Sequence, residues 1–138
     1  MNRILIATVA GAHERWLAAP AAQLASESGA SVTALCVDDV ESQRFQALPR
    51  DELLAAAERE AQELAELVRA EGVEAEALVR SGRAAPAVME CADELDADLI
   101  VVGAPSRRPV AARLLGSLAI TLVERSKRQV MVVTEPAA

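Results

Sequence analysis

A chain of 138 residues that is 52% hydrophobic carries enough apolar surface for one globular domain. Its 21 acidic residues against 14 basic ones leave a net charge of −7, which excludes a general nucleic-acid binder, because such a protein needs a basic surface to release counterions. One Trp, one Phe and no Tyr exclude an aromatic platform for stacking bases or sugars.

Met1–Val9 predicts a first strand, since ILIATV is a short apolar run of the kind covered on both faces of a sheet. His13–Ser28 follows as a helix stopped by Gly29. Pro20 requires either a kink there or a regular helix that begins near it. Ser31–Val37 is the second strand, and the polar stretch Asp38–Pro49 is the longest loop. Arg50–Glu71 repeats Leu53, Ala57, Ala61, Leu64, Leu67 and Val68 at helical spacing and ends at Gly72. Val73–Val79 reads as a third strand near a sheet edge, with its glutamates facing solvent. Ser81-Gly82 then cap a helix running to about Leu95, with Pro86 in its first turn. Asp98–Val102 is the fourth strand, Arg113–Arg125 the last helix, and Gln129–Thr134 the fifth strand. Strands alternating with helices through right-handed crossovers predict an α/β fold: a doubly wound parallel sheet, helices on both faces, in a single domain spanning 1–138.

Ligands of such sheets sit beyond the C-terminal strand ends, where strand order reverses. The loops there carry Arg80, Arg83, Arg107, Arg108 and Arg113, a local positive field on an acidic protein. The fourth strand empties at Gly103 into a loop holding Ser106, Arg107 and Arg108, and Gly116-Ser117 stand near the start of the next helix. Backbone N–H groups beside a helix N-terminus make an anion site, so a phosphate-bearing ligand is the first expectation.

Other chemistries find no support. Cys36 and Cys91 lie in apolar segments with no metal-ligand spacing and read as core residues. His13 is the only histidine and reads as a solvated helix-start residue. No P-loop and no G-x-G-x-x-G follows any strand, and no enzyme is expected. The first apolar run, Ile4–Ala10, is too short for a signal peptide, and no run approaches the ~20 residues that span a bilayer. A soluble, cytoplasmic protein with no membrane or nucleic-acid partner is the expectation. The last strand, QVMVVT, has neither charge nor proline in its interior, so as an edge strand it calls for a symmetric dimer partner.

The spacing Gly103-x2-Ser106-x9-Gly116-Ser117 resembles the signature of the universal stress protein family, G-x2-G-x9-G-(S/T). The resemblance extends to ILIATV, VTALCVDD, SGRAAPAVMECADELDADLIVVG and the QVMVV ending. It implies a five-stranded sheet in the order 3-2-1-4-5, of the adenine nucleotide alpha hydrolase-like kind, and a homodimer paired through the C-terminal strand. It also implies ATP, with Mg²⁺ or Mn²⁺ as a possible companion, as the ligand. Gly103, Ser106, Gly116 and Ser117 would meet the phosphates, Arg107 or Arg108 would add charge, and Val37 would line the base pocket. Two positions depart from the family pattern. Ser106 replaces its second glycine, and Val9 stands where an acidic residue usually holds the ribose. Losing that carboxylate removes a charge-assisted bond of about 1.5–3 kcal/mol, roughly tenfold to 100-fold in affinity. Two functions follow: an adenine-nucleotide-binding stress protein, or a dimeric stress or adaptor protein that has lost the nucleotide.

Overall fold

The computed structural model describes residues 1–39, 49–104 and 109–136, with positions 109–116 described by their backbone alone. Its strands are β1 (Arg3–Val9), β2 (Ser31–Asp39), β3 (Ala75–Gly82), β4 (Leu99–Ala104) and β5 (Gln129–Thr134). They form one five-stranded sheet in the order β3-β2-β1-β4-β5, every neighbouring pair parallel. The strand order implied by the family resemblance is therefore the observed one. Its helices are α1 (Ala18–Ser28), preceded by a 3-10 turn at Arg15–Leu17, then α2 (Arg50–Ala70), α3 (Ala84–Leu95) and α4 (Pro109–Arg125).

Strand alternation divides the core into two layers. Ile4, Ile6, Val32, Ala34 and Val101 point to one face and pack under α1 and α2, against Leu17, Ala21, Ala25, Leu64 and Val68. Leu5, Ala7, Leu35, Val37, Ile100 and Val102 point to the other and pack under α3 and α4, against Val88, Cys91, Ala119 and Leu122. Burying each Ile, Leu or Val side chain stabilises the fold by about 1.5–3 kcal/mol. Central β1 and β4 are covered on both sides and read as apolar runs for that reason. β3 forms one edge, as the solvent-facing glutamates predict, and β5 forms the other.

Several boundaries differ from the sequence expectation. α1 begins at Ala18, so of the two expectations for Pro20 the one observed is a regular helix that starts near it; in the first turn a missing N–H breaks no helical bond. β2 runs two residues past Val37, because Asp38 and Asp39 continue the ladder opposite Ser81 and Gly82. Ser81 and Gly82 are consequently the end of β3 and not a helix cap, and α3 opens at Ala84 behind Arg83, without a side-chain cap. Gly103 pairs with Val133 inside β4. α4 starts at Pro109, which places Gly116-Ser117 about two turns inside the helix and away from its N-terminus. The predicted loop 40–48 and the loop residues Ser106, Arg107 and Arg108 lie outside the described residues.

Candidate functional site

At the C-terminal edge of the sheet the two faces differ in chemistry. On the α1–α2 face the chain fills its own crevice. The turn after β1 brings Gly11 (φ 93°) and His13 (φ 52°) into the left-handed region, and both of their backbone N–H groups donate to Glu60 of α2, at 2.8 and 3.2 Å. The Glu60 side chain is only 12% exposed, and the His13 ring stands 3.6 Å from the same carboxylate. One residue further on, Glu14 accepts the Thr8 hydroxyl proton at 2.8 Å. Burial pushes the Glu14 carboxyl above the usual carboxylate range against that Thr8 bond, and repulsion from Glu135 and Glu60 adds to the rise. A Cβ at Gly103 would collide with the Glu14 carboxylate and stand 2.7 Å from the Trp16 ring. A side chain at 103 would have to displace Glu14 and Trp16, so this packing favours glycine there without reference to a ligand. Three carboxylates at one crevice repel an anion.

The α3–α4 face carries a groove among the described residues. This groove of about 450 Å³ runs between the first half of α3 and the second half of α4, lined by Asp39, Arg83, Pro86, Met89, Ser117, Thr121, Glu124 and, at the end of α4, Arg125 among others. Strand alternation puts Asp39 there, on the same face as Val37 and opposite to Asp38. Asp38 is fully buried, pairs through Oδ2 with Arg50 and accepts the Ser81 hydroxyl at 3.0 Å, while Oδ1 has no hydrogen-bond partner among the described residues. The groove thus offers two guanidinium groups, two hydroxyls and two carboxylates around the apolar surfaces of Pro86, Met89 and Leu118.

The sequence-predicted residues are distributed unevenly over this edge. Ser117 is exposed and lines the groove. Gly116 precedes it within α4. Val37 is fully buried in the α3–α4 core, and the residue of its strand face that lines the groove is Asp39, two positions on. Gly103 faces the opposite crevice, under Trp16. Of the rim arginines, Arg83 lines the groove, whereas Arg80 is tied to Glu94 of α3 at 2.8 Å. The side chain of Arg113 is outside the described residues, as are Ser106, Arg107 and Arg108. Sequence reasoning missed Asp39 and Thr121 in the groove and Glu14 and Glu60 opposite it. Continuing the β2 alternation by two residues would have found Asp39. Nothing local marks Glu60. Among the described residues no three His, Cys, Asp or Glu side chains gather as a metal site.

Comparison with known proteins now bears on this geometry. The model of the universal stress protein family matches residues 1–134. A universal stress protein crystallised in complex with cAMP superposes with a TM-score of 0.72 at 24% identity, covering 95% of this chain and 96% of that one. A universal stress protein from Archaeoglobus fulgidus gives a TM-score of 0.74 at 23% identity, over 96% and 97% of the two chains. One from the same organism in complex with dAMP gives 0.68 at 23%, over 96% of each. No curated protein matches the chain. At such identities the solved structures speak for the fold, and the family match speaks for kinship along nearly the whole length. The chain belongs to the universal stress protein family.

Proposed function

We propose that this chain binds an adenine nucleotide in the α3–α4 groove and acts in the stress response as a binding protein without turnover. The observation that carries the reading is one groove, at the C-terminal edge of the sheet, shared by the Ser117 hydroxyl, the Arg83 guanidinium and the Asp39 carboxylate. Its volume of about 450 Å³ suits a nucleotide-sized ligand. Structures of the same fold in complex with cAMP and dAMP support the ligand class, and ATP is the nucleotide that the signature at Gly116-Ser117 implies. Arginine forks and a hydroxyl are suited to phosphate oxygens, and Pro86, Met89 and Leu118 offer an apolar surface to the base.

The absence of turnover in this reading rests on where the nucleophiles and the histidine lie. Burial pushes the Cys36 thiol up to about 12, helped by Glu60, Asp38 and Glu14, and burial likewise raises Cys91. Neither thiol is poised as a thiolate. His13 belongs to the opposite crevice, beside Glu60.

Calorimetric titration with ATP, AMP and cAMP tests the reading. Micromolar binding is expected for at least one of them, weakened by about tenfold to 100-fold in Ser117→Ala or Arg83→Ala, the loss of one hydrogen bond to a charged group. Absence of heat with all three, in protein freed of bound nucleotide, would reject it.

A second reading, a dimer acting through its surface, is favoured by one observation. Ile120 and Val123 of α4 are each 59% exposed and Val132 of the edge strand β5 is 41% exposed. These apolar side chains and the unpaired strand edge suit pairing with a second copy.

A further inference from the structure

We propose that the turn after β1 is a binding site for a small oxyanion, such as inorganic phosphate, which the chain keeps filled with its own Glu60 carboxylate. This site is separate from the α3–α4 groove and stands whether or not that groove takes a nucleotide. Gly11 and His13 both have positive φ, 93° and 52°. Glycine adopts that region freely, whereas a residue with a side chain stays there only where its surroundings hold it. The two N–H groups converge on one carboxylate, each on a different oxygen, at 2.8 and 3.2 Å. A turn that aims its N–H groups into a common concavity is an anion receptor. Its place in the fold is also that of a ligand site. In the order β3-β2-β1-β4-β5 the direction of winding reverses between β1 and β4, and this turn leaves the C-terminal end of β1.

Glu60 reaches the turn from the covered side of α2. Ala57 and Leu64, one helical turn to either side of it, are buried, and Ala57 and Ala61 pack with Cys36 and Ala10. A carboxylate on that face needs donors, and it finds the two N–H groups and the His13 ring, 3.6 Å away. None of these donors is specific to glutamate: two backbone N–H groups serve any small oxyanion equally. Glu60 wins because it is tethered. The helix presents its carboxylate at a high effective concentration, so a free anion does not displace it. The turn does not hang on Glu60 alone. Arg15 pairs with Glu63 on the same helix, and Leu17 is buried in the core beneath. Removing the Glu60 carboxylate therefore leaves the turn fastened and its N–H groups available. Glu14, which Glu60 already repels, keeps the affinity for a free anion low.

The test follows the amide signals of Gly11 and His13 while sodium phosphate replaces sodium chloride at constant ionic strength, in the wild type and in Glu60→Ala. In the wild type neither signal is expected to move, because the site is filled. In Glu60→Ala both are expected to move together and to saturate at about millimolar phosphate, the range of two charge-assisted hydrogen bonds weakened by Glu14. Formate, a carboxylate without a chain, is expected to compete with phosphate for the same two amides. Phosphate is also expected to raise the melting temperature of the variant by more than that of the wild type, which separates a filled site from the general stabilisation that this salt gives. Signals that stay still in the variant, or that move alike in variant and wild type, overturn the proposal. Should Glu60→Ala not fold, Glu60→Gln takes its place. Its neutral amide offers one acceptor oxygen to two N–H groups, so phosphate is expected to shift both signals there too, and their indifference overturns the proposal.

Discussion

Glu14 and Gly103 are the residues on which the chemistry of the sheet edge turns. A carboxyl whose folded-state value is raised binds its proton more tightly in the native state than in the unfolded chain. Its burial therefore disfavours the fold above the raised value, and stability increases as pH falls through that value toward the ordinary carboxylate range. Glu14→Gln, which keeps an acceptor for Thr8, is expected to raise the melting temperature at pH 7 and to lose that advantage in acid, measured as melting curves over pH. Gly103→Ala is expected to push the Glu14 carboxylate and the Trp16 ring aside. Overpacking of this kind typically costs about 1–3 kcal/mol. As the chain has a single Trp, its emission reads the displacement directly, and an unchanged spectrum with unchanged stability would refute the packing. The carboxylate of Asp98 has the opposite sign. Backbone N–H groups of Arg3 and Asn2 hold it below the usual range, so its contribution is present at neutral pH and fades as pH falls.

The elements show which parts of the molecule a linear reading can reach. β1, β2, β4 and β5 were readable because each is an apolar run between polar turns, and the face of α2 repeats at helical spacing. Their order follows from the family resemblance and is the order observed. The strand end at Asp38 and Asp39 was not readable, because two acidic residues mimic a loop; only their partners Ser81 and Gly82 on β3 make them a strand. The same extension turns a supposed helix cap into the end of β3. Ser117 was legible from its motif, but its neighbours Asp39 and Arg83 come from two other elements, and no local pattern joins them. Glu60 was illegible for a similar reason. It lies 49 residues from Gly11, whose N–H it accepts, on an exposed-looking turn of a helix.

Across the whole molecule, the two sides of the C-terminal edge differ: Glu14 and Glu60 fill the α1–α2 crevice, and on the α3–α4 side the groove brings Arg83 and Ser117 together with Asp39. Away from this edge, β5 and the exposed Ile120 and Val123 give the molecule an apolar flank. Val132→Lys is expected to convert a dimer into a monomer by sedimentation, with little change in monomer stability because Val132 is 41% exposed. A wild type that sediments as a monomer would contradict the dimer. The most direct test of the central claim is a map of amide chemical shifts during titration with AMP. The account predicts that Asp39, Arg83, Ser117 and Thr121 move together while Gly11, His13 and Gly103 stay in place. Shifts centred on Gly11, His13 and Gly103, with the α3–α4 groove silent, would contradict it.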